Sequence, residues 1–237
     1  MQIFKQQISD PFRTLFTGVV DLIYPPMCLA CEQRLHGEEV ELCFSCLSSL
    51  NTLHKPHEQF SVPGEIHIET AWALFEFDDV FQNLIHHLKY SRRRKAMIVV
   101  LDHYKTHILN LLESSRFDLV VSIPLHPRKY RERGYNQVDD VSDWLAELLG
   151  AETGTHVVKR TKYTQSQTKL NATQRYENVA AAFQVKHAID IEHKRILLVD
   201  DVLTTGATSN ALASVLSDSG AARIDLLTLS TPKFLNT

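Results

Sequence analysis

The chain has 237 residues, 44% of them hydrophobic and 22% charged, with a net charge of −3. That is an ordinary globular composition, long enough for one large domain or for one domain with a small appendage. The small net charge singles out no partner. No apolar run approaches the ~20 residues of a membrane-spanning helix, so no integral membrane segment is expected.

Residues 1–24 carry Phe4, Ile8, Phe12, Leu15, Phe16, Val19 and Ile23 at helical spacing; Pro11 kinks or restarts the pattern and Pro25-Pro26 ends it. The apolar face suits docking on the body of the protein, on a partner or on a membrane surface, and the first is the simplest. Lys5, Asp10, Arg13 and Asp21 interrupt the stretch, so no secretory leader is expected and the cytoplasm is the expected location.

Cys28, Cys31, Cys43 and Cys46 follow as two CxxC pairs with 11 residues between them, and they are all the cysteines of the chain. This spacing suits tetrahedral Zn²⁺ held by four thiolates, a structural site because no position stays open for substrate. Disulfides are disfavoured in a reducing compartment, and a redox role needs only one pair. His36, His54 and His57 nearby read as surface residues. Residues 51–69 are a polar connector with Pro56, Pro63 and Gly64. The boundary is set there, with a helix and zinc segment over 1–60 and the larger domain over 61–237.

Residues 71–77 alternate as a strand, and Phe81, Leu84, Ile85 and Leu88 mark one helical face; residues 96–112 read as a second helix. Residues 117–123 form a second buried strand. It runs into Pro124-Leu-His-Pro127 and a basic loop with Arg128, Lys129, Arg131 and Arg133, ahead of a helix with Val138, Val141, Leu145 and Leu148 on one face. Such loops meet at the carboxyl edge of a parallel sheet, so Arg128, Lys129 and Arg133 are candidate ligands for a second anion, pyrophosphate. Residues 159–183 are polar, basic and glutamine-rich, either a lid that excludes water or a surface loop. With residues 89–95 they make three basic clusters, each a solvated face, a positive rim or a track for nucleic acid.

Residues 195–219 organise the rest. The β-branched run 196–199 predicts a strand buried on both faces. Asp200 and Asp201 come next, then Thr204-Thr205-Gly206-Ala207-Thr208. Leu212, Val215 and Leu216 continue at helical spacing until Gly220. A strand-to-helix turn offers free N–H groups and a positive helix dipole to a phosphate. The two carboxylates accept from vicinal hydroxyls, so a ribose 5-phosphate meets both demands. Residues 224–229 supply a last strand.

The 13-residue run from Leu197-adjacent apolar residues through Asp200, Asp201 and Thr204–Thr208 resembles the phosphoribosyltransferase signature that binds 5-phosphoribosyl-1-pyrophosphate (PRPP). The four cysteines, Leu88-Lys89-Tyr90, Ile123-Pro-Leu-His-Pro127, Arg133-Gly-Tyr-Asn-Gln137, Gln167 to Arg175 and Asn178-Val179 to Phe183 extend the likeness. Together they are similar to the ComF family (ComFC/GntX type); Tyr135 stands where that pattern often has Phe. The resemblance implies a type I phosphoribosyltransferase fold, a mostly parallel sheet flanked by helices, with a zinc-binding segment. It also implies a part in natural transformation, handling incoming single-stranded DNA, with DNA-uptake proteins as partners; a homodimer is common among such enzymes.

As a transferase, the chain is expected to bind PRPP with Mg²⁺. Asp200 and Asp201 hold the ribose hydroxyls as catalytic residues, Thr204, Thr205, Gly206, Ala207 and Thr208 grip the 5-phosphate, and Arg128, Lys129 and Arg133 neutralise pyrophosphate. The acceptor and a general base are not legible. The alternative is a non-enzymatic module binding single-stranded nucleic acid through the basic clusters, with Tyr90, Tyr130 and Tyr135 as stacking or core residues. A third reading makes the zinc segment an adaptor for other proteins.

Overall fold

A computed structural model describes residues 25–56, 65–90, 93, 95–160, 182–186 and 190–232. The helix expected over 1–24, His57, Pro63-Gly64 and most of the basic segment 159–183, including the Gln167–Arg175 and Asn178-Val179 motifs, lie outside the described residues.

The apolar runs form the elements expected of them, with shifted ends. In chain order these are α1 (Phe44–Ser48), β1 (Ala71–Glu76), α2 (Asp79–Tyr90), α3 (Ala96–His103), α4 (Lys105–Leu112) and β2 (Leu119–Ser122). Then come α5 (Pro127–Arg133), α6 (Gln137–Leu149), β3 (Glu152–Thr153), β4 (Val158–Arg160), β5 (Phe183–Val185), β6 (Arg195–Val202), α7 (Ala207–Asp218) and β7 (Arg223–Thr231). The single helix expected over 96–112 is two helices parted at Tyr104, whose hydroxyl donates to the Leu47 carbonyl at 2.7 Å. The basic loop after β2 contains the short helix α5, with Pro127 in its first turn and the His126 side chain accepting from Arg128 N–H.

Five strands pair in the order β1-β7-β6-β2-β3, every pair parallel, while β4 and β5 form a separate antiparallel pair. From β2 the chain moves outward to β3; from β6 it moves the other way to β7. The crossovers diverge between β2 and β6, which opens a crevice at their carboxyl ends, where open parallel sheets bind ligands.

Alternation along the strands sends side chains to two separate cores. On β6, Leu197 and Val199 join a cluster with Val141 and Leu145 of α6, Leu84 and Leu88 of α2, and Leu42, Leu47 and the buried cysteines of the N-terminal segment. Ile196 and Leu198 join the opposite cluster with Leu212 and Leu216 of α7, Phe183 and Ile191. The cysteine segment therefore packs into one face of the larger domain's core. It is also tied there by Leu53 N–H to the Leu74 carbonyl (2.9 Å), Glu76 N–H to the Asn51 carbonyl (2.9 Å) and Asn83 Nδ2 to the Ala30 carbonyl (3.0 Å).

The turn after β3 packs tightly against β2: a methyl group added at Gly154 would lie 2.8 Å from Val121 Cγ2 and 3.0 Å from Leu119 Cγ. Overpacking of this kind costs about 1–3 kcal/mol. Gly154→Ala is expected to lower the urea midpoint accordingly, with an unchanged m-value. An unshifted midpoint would show that β2 yields freely at this edge.

Candidate active site

Strand alternation separates the two acids. β6 extends to Val202, so Asp200 and Asp201 are its last inner residues rather than the start of a loop. Asp201 follows the parity of Leu197 and Val199, toward α2 and α6. Asp200 follows Ile196 and Leu198, toward α7 and β4.

Their surroundings differ accordingly. Lys89 Nζ at the end of α2 lies 2.8 Å from Asp201 Oδ2, and Gln137 Nε2 at the start of α6 donates to the same oxygen at 2.7 Å. Val202 N–H donates to Asp201 Oδ1 at 2.8 Å. Burial opposes its charge, but the Lys89 ammonium and these donors hold Asp201 below the ordinary carboxylate value. Asp200 has one such donor, Asp201 N–H at 2.8 Å. Burial, then the neighbouring Asp201 charge, pushes it from 3.8 up to about 7. The pair thus holds one firmly ionised carboxylate and one that titrates near neutrality.

The loop after β6 turns at Gly206, whose φ of +76° places it in the left-handed region that glycine adopts without strain. α7 begins at Ala207, with no side-chain hydrogen bond from the residue at its N-terminal cap position; Thr205 Oγ1 accepts only a long bond (3.3 Å) from Ala207 N–H. Among the described residues no backbone carbonyl accepts from the N–H groups of Thr205, Gly206 or Thr208. The 12-residue helix that follows adds its dipole to those donors.

These elements enclose one cavity of about 670 Å³. It is lined by Asp200, Asp201, all of 204–208, Lys89, Arg160, and Ile123–His126, Arg128, Lys129 and Arg133 from the β2 side. The structure therefore brings together every predicted ribose-phosphate and pyrophosphate residue. Arg128 Nε donates to Glu132 at 2.9 Å on an exposed surface, and Arg133 Nη1 donates to Gln137 Oε1 at 2.9 Å, linking it to Asp201 through that amide. Two cavity residues, Lys89 and Arg160, were not assigned from sequence, nor was Gln137, which reaches the site through its bond to Asp201. Arg160 read only as a member of a basic run, Lys89 as a member of a basic run and of the Leu88-Lys89-Tyr90 motif, and Gln137 as the end of a motif. A helical face ending beside a lysine was the one signal available for Lys89.

The loop from β2 is pinned at both ends. Asn136 Nδ2 donates to the Ile123 carbonyl (3.1 Å) and Asp139 Oδ1 (2.8 Å), and Ser122 Oγ donates to the same oxygen (2.6 Å). Tyr135 is buried and its hydroxyl donates to the Leu88 carbonyl, so it is a core residue; Tyr130 is half exposed between Lys129 and Arg131. The side chain of Tyr90 lies outside the described residues.

The four cysteines converge: their sulfurs lie within 4.8 Å of one another, with Cys31 and Cys43 Sγ 3.8 Å apart. Tetrahedral ligation at a metal–sulfur distance of ~2.3 Å places sulfurs about 3.8 Å apart, so the cluster could hold a metal ion. Although burial opposes it, N–H groups of Cys43, Cys31 and Ala30 pull the Cys28 thiol down to about 7.

A parallel sheet flanked by helices, with an acid pair and a donor-rich turn at its switch point, defines the class: a doubly wound α/β protein with a polar crevice at the carboxyl ends of its strands. The relatives make this specific. The chain is 26% identical over 220 residues to competence protein F of Haemophilus influenzae, covering 84% of this chain and 94% of the relative. It is 34% identical over 151 residues to DNA utilization protein YhgH of Escherichia coli K12, covering 60% of this chain and 63% of the relative. It is 36% identical over 109 residues to competence protein ComFC of Streptococcus pneumoniae, covering 46% of each. The ComF resemblance is borne out: the chain is a homologue of these competence and DNA-utilization proteins. No family model matches it.

Solved structures that overlap it include a glutamine PRPP amidotransferase from B. subtilis complexed with ADP and GMP (TM-score 0.36, 18% identity, 49% of this chain and 23% of that one). Another is adenine phosphoribosyltransferase from Saccharomyces cerevisiae (TM-score 0.33, 18% identity, 76% and 86%). No helix among the described residues is long and apolar enough to cross a membrane.

Asp200 also sets a pH dependence. Its folded value lies above its ordinary one, so the unfolded state ionises first and the group destabilises the fold progressively as pH rises from about 4 to about 7. Asp200→Asn is expected to melt several degrees above the wild type at pH 8, at about 2–4 °C per kcal/mol, with the gap closing toward pH 4. A gap independent of pH would exclude ionisation as its origin.

Proposed function

We propose that the cavity binds Mg²⁺-complexed PRPP and that the chain transfers phosphoribose to an acceptor with release of pyrophosphate. The observation that carries this reading is the meeting, in one crevice, of an acid pair on β6, a donor-rich turn at 204–208 and a basic loop from β2. The acids accept the ribose 2- and 3-hydroxyls and stabilise positive charge developing on the ring; the turn holds the 5-phosphate. Arg128, Lys129 and Arg133 face the pyrophosphate, whose Mg²⁺ is chelated mainly by PRPP itself. Asp201, already ionised, offers Oδ1 and Oδ2 at a fixed position set by Lys89 and Gln137.

The relatives' names, competence protein and DNA utilization protein, support a DNA-related role in competence; we extend it to the handling of incoming single-stranded DNA in the cytoplasm alongside DNA-uptake proteins, as a single chain or as a homodimer. A second reading rests on α5, where half-exposed Tyr130 stands among Arg128, Lys129 and Arg131: a stacking ring in a basic rim suits single-stranded nucleic acid. Such binding would weaken steeply with salt and survive Asp201→Asn. We also assign the four-cysteine cluster to a structural Zn²⁺, because four thiolates with matched spacing leave no open coordination position. The domain boundary near residue 60 then separates the zinc segment from the transferase-like part in sequence while the two share a core.

Calorimetric titration of Mg-PRPP into wild type and Asp201→Asn tests the site. Loss of a charge-assisted bond should weaken binding about tenfold or more. A wild type that binds no PRPP would defeat the reading and leave single-stranded DNA as the ligand. For the metal, elemental analysis should find zinc bound by the wild type and lost in Cys43→Ser, with a lower melting temperature after chelation, since these cysteines are core residues. Full stability without metal would overturn that assignment.

A further inference from the structure

We propose that Arg160 is the principal ligand for the pyrophosphoryl group in this cavity, a partly buried cation that makes no ion pair with a carboxylate among the described residues. The proposal rests on the ribose-phosphate reading above and deepens it. Arg160 ends β4 and pairs in register with Phe183 of β5; its guanidinium carbon lies 5.2 Å from the centre of that ring. The stack fixes the side chain, which reduces the ordering cost of ligand binding.

Its Nε is buried with no hydrogen-bond partner, and among the described residues no carboxylate forms an ion pair with it. Yet it lines the same cavity as Asp200 and the 204–208 turn, and its charge acts on both Asp200 and His126. It therefore lies near both Asp200 and the loop from β2, in the part of the cavity that the ribose-phosphate reading leaves to the pyrophosphate. The other candidate cations are engaged or solvated: Arg128 is exposed and paired with Glu132, Arg133 is bonded to Gln137, and Lys129 is exposed. A desolvated guanidinium interacts with an anion far more strongly than an exposed one and offers two parallel donors to phosphate oxygens.

A desolvated, unpaired charge is a burden on the free protein, and this separates a ligand-binding role from a packing one. Full-length wild type, Arg160→Met and Arg160→Lys are melted without ligand and titrated with inorganic pyrophosphate, ribose 5-phosphate and Mg-PRPP. Arg160→Met should melt at or above the wild type. It should bind pyrophosphate and PRPP about tenfold or more weakly, yet bind ribose 5-phosphate within about twofold of wild type. Arg160→Lys should recover part of the loss. Arg160→Met that binds pyrophosphate and PRPP like wild type overturns the proposal while leaving the ribose-phosphate site intact. So does a pair of variants that both melt far below wild type and lose ribose 5-phosphate in step, which makes Arg160 a packing residue. Wild type that binds none of the three ligands overturns the underlying reading itself.

Discussion

β6 is buried on both faces by apolar residues and carries two adjacent acids just before its carboxyl end, and the rest of the site depends on that constraint. Alternation obliges Asp200 and Asp201 to face opposite layers, so adjacent carboxylates meet different neighbours. One layer brings helices whose ends carry a lysine and an amide; the other brings α7 and the β4–β5 pair with one arginine. The result is a firmly ionised acid beside one that titrates near neutrality, without any difference in residue type.

The pair formed by Lys89 and Asp201 is half-buried, so its net worth to stability is small once desolvation is charged against it. Its value is positional. With Gln137 it fixes in place a carboxylate whose charge already exists. Gln137 in turn holds Arg133, and the Asn136–Asp139–Ser122 bonds pin the loop that carries Arg128 and Lys129. The acid pair and the basic loop are thus one hydrogen-bonded assembly spanning the switch point of the sheet.

The cysteine segment takes part in that assembly from outside the cavity. It packs against α2, the helix that delivers Lys89, through the Asn83 bond to Ala30, and Glu41 pairs at 3.2 Å with Arg93 just past the end of that helix. The segment that carries the four cysteines and the helix that carries Lys89 are therefore packed together, although the site itself is built mainly from residues 123–208.

Much of this was legible in the residues themselves. Apolar runs of four to eight residues define strands because only a sheet covered on both faces hides them, and the CxxC spacing aims four sulfurs at one point whatever surrounds them. The loop 204–208 announces its chemistry because glycine, hydroxyls and a following helix act locally. What the sequence by itself could not contain was partnership across the sheet. Lys89, Gln137 and Arg160 lie 112, 64 and 40 positions from Asp201 or Asp200, by subtraction of their numbers, and look like ordinary polar residues in their own segments. Which of them meets which carboxylate is decided by strand order and by the parity of β6, and these arise only when the crossovers from β2 and β6 diverge. The sequence determined the elements, the metal-type knuckle and the donor-rich turn, because local geometry dictates each. Tertiary structure alone decided the charge state of each acid and the isolation of Arg160, because burial and distant charges set both.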